Sequence, residues 1–153
     1  MQILEYQMLD VRNLLCCTTK FNPDSFAEAL QKIEETLKNN EITSKDTAIY
    51  LLFGNDENQT INIHFATEKE ITYPKDLFQF KERLYLVQAV KSRYEGELYD
   101  IKDSFYQIQQ YMDTRKLSPI TPFCCKVISG LEDSKNTGDV IVDIYVGVNG
   151  NII

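Results

Sequence analysis

Leu30-Gln-Lys-Ile-Glu-Glu-Thr-Leu37 and, 75 positions later, Phe105-Tyr-Gln-Ile-Gln-Gln-Tyr-Met112 carry one pattern, with large apolar side chains at the first, fourth and eighth places. That spacing draws one apolar stripe along an amphipathic helix. Ile42 and Leu117 extend the match. The same offset sets Val11-Arg-Asn-Leu-Leu15 against Leu86-Val-Gln-Ala-Val90 ahead of the helices. Behind them it sets Ala48-Ile-Tyr-Leu-Leu-Phe53 against Phe123-Cys-Cys-Lys-Val-Ile128. Three elements in one register identify an internal duplication.

Each copy reads as β-α-β-β. In the first, a β-rich run over 11–19 leads to Asn22-Pro23, which are N-cap and first-turn residues for a helix reaching Asn39. Two strands are predicted at 47–53 and 60–66, joined by the polar turn 54–59. In the second, a strand is predicted over 84–92 and a helix over 98–116, stopped by Pro119 and Pro122. Strands at 123–128 and 140–148 follow, with the polar loop 130–138 between them. The chain is thus expected to be one α+β domain of two pseudo-symmetric halves, 1–66 and 84–153, with 67–83 as linker. A β-α-β-β unit covers one sheet face with its helix. Two together predict an antiparallel sheet with both helices on one side and a cleft at the centre.

Composition narrows the function classes. Apolar residues at 43% and charged residues at 25% describe an ordinary globular chain. The net charge is −7 and the basic residues are scattered, which argues against nucleic acid as a partner. No apolar run approaches membrane-spanning length, and the N-terminus has no signal-peptide pattern, so a cytoplasmic protein without a membrane partner is expected. The four cysteines form two adjacent pairs, Cys16-Cys17 and Cys124-Cys125, which suits reduced thiols packed as small apolar residues. No cofactor and no metal are expected, and G-x-S-x-G, H-E-x-x-H and phosphate-loop patterns do not occur.

Alternation along the last strand places Val140, Val142, Ile144 and Val146 toward the helices and Ile141, Asp143, Tyr145 and Gly147 on the other face. In the matching first-half strand, Ile61, Ile63 and Phe65 face the helices, leaving Asn62 and His64 opposite. Asp143, Tyr145 and His64 therefore share a surface, with Ile141 beside them and Tyr94 as a further aromatic lining residue. A carboxylate beside a phenol ring suits an organic cation, by charge and by the ring quadrupole. The competing expectation is an ordinary solvated face.

The run Tyr94-Glu-Gly-Glu-Leu-Tyr-Asp-Ile-Lys-Asp-Ser-Phe-Tyr-Gln-Ile-Gln-Gln-Tyr-Met-Asp-Thr-Arg-Lys-Leu117 resembles the second-helix motif of GyrI-like domains. These are also called bacterial effector-binding domains and share the SOUL-type fold. The matching features are Gly96 before the helix, Ile101, Phe105, Ile108 and Tyr111 along it, and Leu117 after it. Val142-Asp-Ile-Tyr-Val-Gly-Val148 is similar to the family's last strand. The resemblance implies a central pocket for bulky, often cationic compounds, built from a carboxylate and aromatic rings. Asp143 takes the place of the usual glutamate, and Gly147 stands where proline is common. The reading that follows is a stand-alone small-molecule-binding or effector-sensing module, monomeric or homodimeric. Its alternatives are a protein-interaction or inhibitor module with a cytoplasmic partner, and a small hydrolase using Tyr145 and Asp143.

Overall fold

The computed structural model describes residues 2–43, 47–54, 59–68, 70–131 and 138–150. Its elements run β1 (Ile3–Lys20), α1 (Pro23–Asn39), β2 (Ala48–Phe53), β3 (Thr60–Ala66), β4 (Gln79–Glu97), a 3-10 turn (Leu98–Asp100), α2 (Lys102–Thr114), β5 (Leu117–Pro119), β6 (Phe123–Ser129) and β7 (Asp139–Gly150). The expected α+β architecture, two β-α-β-β units in an antiparallel sheet with two helices, is what forms. Most of the polar turn at 54–59 and of the loop at 130–138 falls outside the described residues.

The strands hydrogen-bond in the order β4-β1-β3-β2-β6-β7, and β4 also pairs with β7, so the circuit closes; β5 extends it beyond β6 along β7. A closed ring of six strands has room inside only for side chains. Both helices therefore pack outside it. The pairings β1–β4 and β2–β6 lie opposite one another and mark a pseudo-two-fold axis.

The helices form where the repeat places them. Asn22 caps α1, its side chain accepting from the Ser25 amide at 2.8 Å, and Pro23 opens the helix. Phe26, Ala29, Leu30, Ile33 and Leu37 are buried on α1, and their counterparts 75 positions on, Ile101, Ser104, Phe105, Ile108 and Met112, are buried too. Each Leu, Ile, Phe or Met side chain among them contributes about 1.5–3 kcal/mol by leaving water. The two halves meet under the helices in aromatic contact: Phe105 stacks on Phe123 at 4.2 Å and meets Phe53 edge-on at 5.0 Å.

Two expectations shift. The strands expected at 11–19 and 84–92 are the inner parts of β1 and β4, which begin at Ile3 and Gln79. Tyr6 and Asn13 sit at φ 59, a left-handed backbone that changes which face successive side chains take. Alternation read across such points is lost. In β6 the repeat slips by one. The offset of 75 would align Tyr50 with Cys125, yet Tyr50 faces away from the helices and Cys125 toward them. Tyr50 instead matches Cys124, and Leu51 matches Cys125.

Candidate functional site

The ring separates two apolar clusters. One lies between the sheet and the helices; the other fills the interior with Leu9, Leu14, Tyr50, Leu84, Leu86, Ala89, Cys124 and Tyr145. Asp143, Tyr145 and His64 share this inner face, as strand alternation implies. It is no solvated surface: Asp143 and His64 are each 4% exposed and Tyr145 7%. Closure of the ring, which local alternation does not encode, is the reason.

Strand register lays the inward side chains out in two rows. One runs Cys16, His64, Tyr50, Lys126, Asp143, Arg93; the other runs Thr18, Asn62, Leu52, Cys124, Tyr145, Lys91. The pseudo-two-fold axis exchanges them. His64 is thereby the counterpart of Tyr145, and Asn62 that of Asp143.

Asp143 does not await a cation. Arg93 donates to both of its oxygens, at 2.9 and 3.3 Å, and the Lys91 ammonium lies 3.6 Å away. Burial pushes the Asp143 carboxyl up, but the Arg93 hydrogen bond and the two positive charges outweigh it and hold it below the ordinary value. Lys91 also sits over the Tyr145 ring, 5.6 Å from its centroid. The sequence reading missed Arg93 and Lys91. Their signal is alternation along β4, visible only once β4 is known to pair with β7.

His64 differs from its counterpart. Its Nδ1 is buried and lacks a hydrogen-bond partner. Burial, helped by the charge of Lys81, lowers its pKa to about 4, so the ring is neutral at physiological pH. Cys16 lies directly opposite it, but burial raises the Cys16 thiol to about 11 and Cys124 to about 12, which keeps both protonated and poor nucleophiles. All four cysteines are free. Among the described residues, no group of three or more His, Cys, Asp or Glu side chains is placed to hold a metal.

Ile141 lies half-buried at the outer end of this face, paired with Glu95 and Ser129. Tyr94 does not join it. It packs against the helix-side cluster, and its hydroxyl donates to the Glu97 carbonyl, folding the ring over Gly96. A Cβ at Gly96 would stand 2.8 Å from that hydroxyl oxygen. This close approach and the positive φ of 155 at Gly96 both favour glycine there.

No protein-family model matches the chain, and no curated protein does. Solved structures do match. The C-terminal domain of EcmrR superposes with a TM-score of 0.69 at 12% identity, covering 99% of this chain and 100% of that one. EcmrR in its complex with DNA gives 0.64 at 11% identity, and the match covers 97% of this chain but 58% of that one. A hydrolase from Listeria innocua gives 0.59 at 11% identity, covering 95% of this chain and 93% of that one. At these identities the likeness is one of fold. No helix among the described residues is long and apolar enough to cross a membrane.

Proposed function

We propose that this chain is a GyrI-like small-molecule-binding or sensing module. Its full-length likeness to the EcmrR C-terminal domain supports the fold side of that reading. The observation that carries the functional side is the unpaired Nδ1 of His64. Buried polar atoms are nearly always satisfied, so an unsatisfied nitrogen on a face that also holds Tyr50, Tyr145 and a carboxylate favours a hydrogen-bonding ligand there. A saturating ligand at a hundredfold excess over its dissociation constant raises stability by about 2.7 kcal/mol. A thermal-shift screen of aromatic and cationic compounds tests this. Hits that vanish in His64→Leu and Asp143→Asn support the inner face, whereas a flat screen removes the reading.

A second reading, a protein-interaction module, is favoured by a different surface. Tyr6, Met8, Tyr85 and Val87 are exposed on the β1–β4 pair, Tyr6 at 81% and Val87 at 67%. Exposed large apolar side chains grouped together are characteristic of contact surfaces. A partner that co-purifies with the protein and is lost in Val87→Glu supports this reading; unchanged recovery counts against it.

A further inference from the structure

The inner face gathers positive charge, although the chain as a whole carries −7. Lys91 and Arg93 are taken by Asp143. Glu95, further along β4, is exposed at the outer end beside Ile141. Lys126 lies between Tyr50 and Asp143 in strand register, and Lys81 pairs with Leu14 of the interior cluster. The charge of Lys81 lowers the pKa of Cys16, His64 and Cys124, which stand on three different strands, so its ammonium projects among them. Lys81 and Lys126 are both half-buried, and neither has an ion pair among the described residues. A partly desolvated ammonium without a counter-charge gains from any anion that reaches it.

His64 points the same way independently of these charges. Its side chain is buried and its Nδ1 has no hydrogen-bond partner. A neutral imidazole can donate from Nδ1, and a carboxylate is a pure acceptor. In the row His64, Tyr50, Lys126, the phenol ring stands between that nitrogen's ring and the ammonium. We infer that the inner face takes an organic anion, its acid group held by Lys81, Lys126 and His64 and its apolar body lying against Tyr50. The inference rests on the small-molecule reading above and departs from it over Asp143. That carboxylate occupies Lys91 and Arg93 and leaves the other two cations to the ligand.

The test uses the full chain in phosphate-free buffer with four probes of similar size: phenylacetate, benzylphosphonate, the neutral phenylacetamide and 2-phenylethylammonium. His64 is the chain's single histidine, so its ring signals in NMR titrations need no assignment and report location as well as affinity. The expected result is that an acid shifts those signals and binds at least about tenfold tighter than the amide. The stronger of the two acids tells a carboxylate site from a phosphonate site. Bound acid should also raise the pH midpoint of the His64 signals above about 4, since a neighbouring anion favours the protonated ring. Lys81→Gln and Lys126→Gln each weaken the acid about tenfold and the amide little, Lys126→Arg restores it, and Asp143→Asn tightens it. Equal affinity for acid and amide, preference for the ammonium, or acid affinity untouched in both Gln variants overturns the anion assignment. Amide or ammonium binding that still shifts His64 leaves the module reading standing. Silence of His64 with all four probes overturns the assignment as well, while hits in the wider thermal-shift screen would still sustain the module reading.

Discussion

Asp143 occupies in the second half of the ring the place that Asn62 occupies in the first, and the two have taken different partners from the strand beside them. Asn62 accepts from the Thr18 hydroxyl, whereas Asp143 is clasped by Arg93. Thr18 and Arg93 are themselves counterparts, so one place in the repeat holds an exposed uncharged pair and the other a buried carboxylate paired with an arginine.

That substitution can be reversed. Arg93→Thr leaves the buried carboxylate with Lys91 alone and should lower the urea midpoint more than Asp143→Asn, because Arg93 freed by the latter can turn to water. The double variant Arg93→Thr with Asp143→Asn, a copy of the first half, should recover most of the loss. Additive losses in that double-mutant cycle would show that the pair carries no coupling.

His64 should make stability depend on pH. Its folded pKa of about 4 lies below the ordinary 6.5, so below pH 6.5 the unfolded chain binds the proton that the folded chain refuses. Its contribution is fully present above pH 6.5 and falls as pH drops toward 4, by at most about 3 kcal/mol. Denaturation curves at pH 7.5 and 4.5 should therefore diverge less for His64→Gln than for the unaltered protein.

Asn40 joins the end of α1 to Thr72, in the segment between the two halves, by donating to its carbonyl at 2.7 Å and accepting from its amide at 2.9 Å. Asn40→Ala should cost about 1–2 kcal/mol by leaving both Thr72 groups without this partner. It should also raise amide exchange at Ile71 to Tyr73 ahead of the strands, as hydrogen-exchange mass spectrometry would record.

The cap of α1 gives a calibration away from the inner face. Asn22→Ala removes the acceptor for the Ser25 amide and should cost about 1 kcal/mol.

The helices were legible because their periodicity is local: Leu30, Ile33 and Leu37 announce a stripe, and Phe105, Ile108 and Met112 repeat it at a spacing the buried faces obey. The shared face of His64, Asp143 and Tyr145 was legible for the same reason, since alternation needs only neighbours. What escaped is non-local. The pairing of β4 with β7 closes the ring, buries that face and brings Arg93 to Asp143, and no pattern within either strand encodes it. The left-handed residue Tyr6 hid the first part of β1 by breaking its phase. Tyr94 falls on the other face because the alternation of β4 that turns Lys91 and Arg93 inward turns it toward the helices, opposite Val142.

Cys124 and Cys125 are chain neighbours, yet one belongs to the ring's interior and the other to the layer beneath the helices. A thiol reacts with an alkylating reagent only when its surroundings open. The two adjacent sulfurs therefore act as built-in gauges of separate breathing motions. Trapping rates at the first follow loosening inside the barrel, and those at the second follow detachment of the helical layer. Any compound that tightens one compartment alone would slow one sulfur and spare its neighbour.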